Sequence, residues 1–502
     1  MTRLLLKPKF YKKMKNVKRL IKIGLAILLI GGFSIYLIAS EAKVISYQIT
    51  EKKEKIRTWE DWDEIIKEAD IGLSKLNLKI GNQEVNLYDT SWGRNKTVPA
   101  LNMREIGLAL LVYDQTIDHG KGGFRGEIKF AKINQEMEDF VDSRLVDIGS
   151  FQEELVDIRV MPRLSGSRLN GFNNIYKSYK PSGYVVVENR FPTYKKVGLF
   201  QRVRGKVKPV QQIVRTPEKD LYYSPYSPDL YKSFLVQSGR SYHLNEVVNK
   251  ALEDLRILGV QSKAYPGKLV ADTIKPELLI AIPHIEQSDF GEVLADPKTI
   301  FERVDVILGA NKQKAYSFTK SPAEAQGLNQ FTGGTYKGIR SSYPIANLIK
   351  DFVAGAADHV NITKAAALLI DYNRADYIHP LKKKAEELQD KVNQLEAKLN
   401  NARNQKSLAK LQKDLASAKT KLQIQKQVID RIENTSYGME QDLARYNGKP
   451  KWANEALTAH ISVSLTGEWA KEPLRTETQE FLVKFRSWLG LNQHWQEVYD
   501  KR

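Results

Sequence analysis

The feature that most limits how this chain can fold lies in residues 381–433. Leu388, Val392, Leu395 and Leu399 alternate steps of four and three, and Leu408, Leu411, Leu415, Ala418 and Leu422 do so again. The remaining positions are mostly Lys, Gln, Glu, Asn and Asp, which is the pattern of a coiled-coil seam. Pro380 opens the first run at a position helices tolerate, and NNARNQKS (400–407) interrupts the spacing. The pattern predicts an antiparallel hairpin with arms of about 20–25 residues, each roughly 30–38 Å long. A single continuous helix would carry the following chain about 80 Å away. Any site built from residues on both sides of this segment therefore requires the hairpin.

The N-terminus is equally patterned. The first 22 residues hold nine Lys/Arg and no acid (Arg3, Lys7, Lys9, Lys12, Lys13, Lys15, Lys18, Arg19 and Lys22), and Ile23 to Ala39 follows without a charge. A helix of that length spans roughly 26 Å, enough for a hydrocarbon core. Basic residues before the span place the N-terminus in the cytoplasm and the bulk of the chain outside, as a single-pass protein of the cell membrane. A cleaved signal peptide, with Ser40 and Ala42 before the cut, is the alternative, although the basic and apolar regions are both long for one. The formal net charge is +19, of which nine units belong to this tail, leaving about +10 on the rest. The tail reads as a topology determinant beside anionic lipids rather than as a nucleic-acid arm.

Several chemistries are excluded outright. The 502 residues contain no cysteine, so disulfides, thiolate catalysis and zinc–cysteine sites are absent. The seven histidines show no HExxH spacing, and no GxxxxGK[ST] loop occurs. No metal or organic cofactor is indicated.

Between the span and the coiled coil the organisation is mixed. Residues 41–60 form a connector, and 61–242 form an α+β region of unassigned role. Trp62, Ile65, Ile66 and Ala69 keep helical spacing, MREIGLALLVY (103–113) is a second apolar helix candidate, and 133–160 again look helical. HGKGGFRGE (119–127) lacks a G-x-G-x-x-G spacing and reads as a turn. GYVVVENRF (183–191) and 197–215 read as strands. In the second, Arg202, Arg204, Lys206 and Lys208 alternate and would form one basic face, solvated or turned to anionic glycan or lipid headgroups. YYSPYSPDLY (222–231) should be an irregular connection, and 244–259 carry a helical apolar stripe.

Three blocks carry the candidate chemistry. LLIAIPHIEQSDF (278–290) ends an apolar run on Glu286, where desolvation raises a carboxyl pKa, as a glycosidic general acid requires. AEAQGLNQFTGGTY (323–336) groups small and amide-bearing residues, with Gly327 permitting close backbone approach. LARYNGKPKW (443–452) adds a Tyr-Asn pair before a Gly/Pro turn.

In this order the blocks resemble the soluble-type lytic transglycosylases and the related goose-type lysozymes. Glu286 matches the catalytic acid, Gly327, Leu328 and Gln330 match the G-L-M-Q loop with Asn329 where Met is usual, and Tyr446–Asn447 match the Tyr-Asn pair. DFVAGAADHV (351–360) and TKAAALLIDYN (363–373) resemble the supporting helices, and Tyr372–Asn373 is a second possible Tyr-Asn match. The resemblance implies a mainly α, lysozyme-like catalytic domain, its first part at 243–379 and its second at 436–502, with the hairpin of 380–435 inserted. It implies Glu286 as catalytic acid and Ser288, Gly327, Leu328, Gln330, Tyr446 and Asn447 as substrate-binding residues. The implied partner is the peptidoglycan glycan strand, cleaved between N-acetylmuramic acid and N-acetylglucosamine to leave 1,6-anhydro ends. The sequence departs from the pattern in three places: Gln287 intervenes before Ser288, the spacing to the loop is long, and the coiled coil splits the domain. Hydrolysis on the same fold, with Asp289 or Glu292 as second carboxylate, and a non-catalytic envelope scaffold that binds a partner or itself through the coiled coil remain open.

Overall fold

The computed structural model describes residues 55–491 except 90–93, 115–123, 137–149, 154–155, 162–174, 181–183, 204–205, 227–229, 231–232, 318, 322, 402–404 and 449–475. The expected membrane span, the basic tail, Arg204, Pro450 and most of the glycine-rich turn lie outside these residues. Among the described residues no helix is long and apolar enough to cross a membrane.

Alternation rather than helical periodicity governs much of the first half. β1 (Lys55–Arg57) leads through a short 3₁₀ turn to α1 (Trp62–Ser74), where the expected apolar spacing does build a helix. Next come β2 (Ile80–Asp89), β3 (Arg94–Asp114), β4 (Phe124–Glu136), β5 (Ser150–Glu153), β6 (Val156–Met161), β7 (Ile175–Lys180), β8 (Tyr184–Val203) and β9 (Lys206–Tyr223). The larger sheet runs β1-β4-β3-β8-β9, with β2 also paired to β3, and β5-β6-β7 form a second; the pairings are antiparallel.

Two helix expectations fail here. MREIGLALLVY is part of β3, and the described residues of 133–160 are strand. The reason is visible in β3: Ile106, Leu108 and Leu110 join the core of the helical half, whereas Ala109 and Leu111 join a core beneath α1. β8 does the same, with Val186 on one side and Val185 and Val187 on the other. A strand covered on both faces loses its polar alternation and reads as a continuous apolar run, which sequence alone does not separate from a buried helix. The basic residues at 202–208 are divided between β8 and β9, with Arg202 opposite Val207 and Val203 opposite Lys206, so they mark a hairpin end and not one strand face.

The helical half begins with α2 (Ser233–Ser241), a π-helical stretch (Tyr242–Asn249) and α3 (Lys250–Ile257). It continues through α4 (Val270–Thr273), α5 (Pro276–Glu286), α6 (Phe290–Ala295), α7 (Pro297–Asn311), α8 (Gly333–Ser342) and α9 (Phe352–Ala357). α10 (His359–Asn400), α11 (Gln405–Asn434), α12 (Ser436–Asn447) and α13 (Thr476–Leu491) complete it. The described chain is mainly helical.

The hairpin forms as the heptads require. Val392, Leu415, Ala418 and Leu422 are buried along its seam with Leu388, Leu395 and Leu399 packed against them. Three cross-arm contacts, Lys419–Glu396 at 2.8 Å, Lys426 Nζ–Gln389 at 3.1 Å and Lys382–Glu433 at 2.9 Å, step by sevens in opposite directions, which fixes the arms as antiparallel. One expectation changes: Pro380 does not start the first arm. It lies inside α10, which begins at His359 in the core and runs without a break into the arm. Residues Ile362, Ala365, Ala366, Leu368 and Ile370 anchor the inner half so firmly that the one hydrogen bond removed by proline does not end the helix.

Candidate active site

α5 positions the acid. Pro276 sits at its first turn, where a missing N–H costs nothing, and Leu278–Ile285 are all buried. Pro283 leaves the helix intact, and Gln287 N–H closes it on Pro283 O at 2.9 Å. Glu286 is thus the last residue of a helix buried on every side, and its own side chain is half-buried. Burial pushes its carboxyl from the usual 4.5 up to about 8; the negative charge of Glu477 adds to the shift and the ammonium of Lys484 opposes it. A carboxyl of this kind carries its proton at neutral pH.

The loop is held against the end of α5 by the residue that departs from the family pattern. Gln287 is buried, and its amide donates to Gly327 O at 3.1 Å and Leu328 O at 2.9 Å. Gln330 Nε2 donates to Gly327 O at 2.8 Å and Thr319 Oγ1 at 3.0 Å. Gly327 has φ +77°, and a Cβ there would stand 2.1 Å from Ala356 O, so only glycine fits. Paired backbone bonds between Gln326 and Phe331, at 2.8 and 3.1 Å, close the loop.

The third block reaches the same place. Tyr446, at the end of α12, donates to Asn329 O at 2.8 Å and meets Phe331 edge-on with ring centroids 5.8 Å apart. Its phenol pKa is raised by burial and then by the charge of Glu286, which places the two side chains in each other's field. Tyr372, the other possible match, lies against Lys263, and Asn373 donates to Arg445 O at 3.3 Å. Of the two tyrosines, Tyr446 is the one joined to the loop and in the field of Glu286.

The other named residues have supporting places. Ser288 is buried and donates to Ile285 O at 3.1 Å, so it finishes the turn after α5. Leu328 is fully buried and holds the loop to the core rather than lining a surface. Asn447 accepts from Thr478 Oγ1 at 3.1 Å and ties α12 to α13. Asp289 caps α6 through Gly291 and Glu292 N–H, and Glu292 pairs with Arg303 at 2.7 Å. Neither of those carboxylates contributes to the field on Glu286.

Sequence reasoning missed Lys484 and Glu477 on α13, whose charges act on the acid, and gave Gln287 only as a departure from the family pattern. Nothing in the local sequence marks Lys484, because it lies 198 residues beyond Glu286 along the chain. Gln287 carries a signal in principle: a primary amide beside an apolar helix end must find partners for both its N–H groups. Among the described residues no group of three or more His, Cys, Asp or Glu could hold a metal ion. Compared with known protein families, curated proteins and solved structures, the chain shows no match.

Proposed function

We propose that this chain is a membrane-anchored, lysozyme-like enzyme that cleaves peptidoglycan glycan strands as a lytic transglycosylase, with Glu286 as its acid. The observation that carries the reading is a single carboxyl held protonated up to about pH 8 at the end of a buried helix, with a loop of amides and Tyr446 against it. Residues 23–40 supply the anchor, and the basic exterior suits an anionic wall polymer.

Protonated Glu286 gives its proton to the glycosidic oxygen between N-acetylmuramic acid and N-acetylglucosamine, and the bond from that oxygen to the muramoyl C1 breaks. The muramoyl 6-hydroxyl then bonds to C1 as the Glu286 carboxylate takes the hydroxyl proton. The acid is restored, a 1,6-anhydro end is left, and no water is consumed. The phenol of Tyr446 and the loop carbonyls are fixed by their own hydrogen bonds.

One observation favours hydrolysis instead. Glu477 lies close enough to raise the pKa of Glu286, and two carboxyl groups are what a hydrolytic glycosidase uses. Mass analysis of muropeptides released by the full-length protein from purified peptidoglycan separates the readings. Anhydro ends that vanish in Glu286→Gln and persist in Glu477→Gln support the lytic transglycosylase. Reducing ends that vanish in both variants support a muramidase. Absence of release at any pH between about 4.5 and 8 refutes both and leaves a binding scaffold.

A further inference from the structure

The carbonyl oxygens at the end of α5 point at a cation that comes from the far end of the chain. Lys484, on α13, donates through Nζ to Ile285 O at 2.6 Å and to Ser288 O at 3.1 Å. These carbonyls bracket Glu286 along the backbone. The last carbonyls of a helix form the negative end of its dipole, so a lysine fastened to Ile285 O, which also accepts from Ser288 Oγ, opposes that partial charge. α13 is anchored at this point, because Phe481, Leu482, Phe485 and Trp488 are buried in the main core around Lys484.

We propose that Lys484 is a positioning residue for Glu286: fastened to the backbone on both sides of the acid, it holds that stretch of chain in place and sets the charge against which the proton leaves and returns. The inference rests on the proposed role of Glu286 and deepens it. A single carboxyl that serves first as acid and then as base needs a proton affinity between two limits. Burial holds the proton more tightly and so works against the first step, in which the proton must be given up, and Glu477 acts in the same direction. Lys484 is the opposing charge. Among the described residues, Tyr446 on α12 keeps its proton, Asp289 caps α6, and Glu292 is neutralised by Arg303. His284, earlier on α5, is engaged by Ile280 O at 2.8 Å and Asp305 at 2.9 Å on a side of the helix lined by Phe301 and Trp488.

The substitutions Lys484→Gln and Lys484→Arg separate charge from scaffolding, since glutamine keeps a donor without the charge and arginine keeps both. The full-length chain, labelled with ¹³C at the glutamate carboxyls, is titrated by NMR, with the Glu286 signal assigned by its loss in Glu286→Gln. Lys484→Gln should move the Glu286 midpoint upward by about one pH unit or more, the usual effect of one adjacent charge. Lys484→Arg should leave it in place, and the alkaline limb of glycan release should follow the midpoint in each variant. A midpoint unmoved in Lys484→Gln overturns the proposal, even where the rate falls, because lost scaffolding alone lowers a rate without shifting an ionisation. A midpoint that moves in a protein releasing no muropeptide supports the role of Lys484 and refutes the glycan-cleaving reading.

Discussion

Gln287→Met is the sharpest perturbation of the loop, because it nearly keeps the volume of the side chain and removes its donors without adding a charge. The two N–H groups of Gln287 are both spent, on Gly327 O at 3.1 Å and Leu328 O at 2.9 Å. Gly327 O keeps a second donor in Gln330 Nε2 at 2.8 Å, so its loss amounts to one net hydrogen bond, about 1 kcal/mol. Leu328 O loses its donor, and a buried carbonyl deprived of its partner costs about 1–3 kcal/mol. Together these amount to about 2–4 kcal/mol of loop stability, or roughly 30- to 1000-fold in the equilibrium for lifting the loop from α5. Hydrogen exchange reads this directly at Gly327 N–H, bonded to Thr319 O at 3.0 Å, and at Phe331 N–H, bonded to Gln326 O at 3.1 Å. Amides of α11 serve as an internal control, since nothing in the hairpin seam touches Gln287. Acceleration by that factor at 327 and 331, with α11 unchanged, is expected. Unchanged exchange at both loop amides would refute the claim that Gln287 is the clamp, and Gln287 would revert to a departure without a function.

Other substitutions test the site and its frame. Above pH 4.5 the unfolded chain releases the Glu286 proton while the folded chain holds it to about 8, so stability falls as pH rises through that window. Glu286→Gln should therefore raise the melting temperature at pH 8, by an amount equivalent to roughly 2–4 kcal/mol, and leave it unchanged at pH 4.5. Gly327→Ala should cost about 2 kcal/mol or more, because it adds left-handed strain to a 2.1 Å approach to Ala356 O. Gly334→Ala, whose Cβ would meet nothing within 4 Å on α8, should instead stabilise by about 0.5–1 kcal/mol in thermal denaturation. Glu188 is pushed up to about 9 by burial and then by Asp70, so a pH series of melting curves should lose part of its decline between 4.5 and 9 in Glu188→Gln. Arg374→Met leaves Asp442, 1% exposed, without its ion-pair partner and should cost about 3–5 kcal/mol by chemical denaturation.

How much of this was legible follows from how local each signal is. The hairpin was readable because a heptad seam is a one-dimensional pattern, and of the residues named from spacing Leu388, Val392, Leu395, Leu399, Leu415, Ala418 and Leu422 pack along it, whereas Leu408 and Leu411 stay outside the buried cluster. Glu286 was readable for a similar reason: an apolar run ending on a carboxyl implies desolvation wherever it sits. β3 was not, since its two faces are buried by different cores and the alternation that distinguishes a strand had disappeared. Pro380 misled because it carries a breaker's signal within a helix that tertiary packing overrides. Leu328 and Ser288 matched a motif, but a motif states only that residues recur together. Their burial shows that they recur here to hold the loop and the turn. Lys484 had no sequence signal, for its role exists only once α13 folds across the end of α5.

The same contrast explains why a coiled coil can interrupt the site without spoiling it. α10 and α12 are joined at the root of the hairpin by contacts one turn apart: Asn373 to Arg445 O, Arg374 to Asp442, Tyr377 Oη to Asp442 at 2.8 Å, and Arg445 stacked over the Tyr377 ring at 4.0 Å. These set the rotation of α12, and with it the direction in which Tyr446 leaves the helix toward Asn329 O. None of them involves the arms beyond Leu381. The arms contribute a return of the chain to its starting point, and their cross-contacts recur every seven residues. Arm length can therefore change by whole heptads while the root, and the tyrosine it aims, stay in register. What the site requires of the coiled coil is its antiparallel sense, and the arm beyond the root is free to serve whatever lies at its tip.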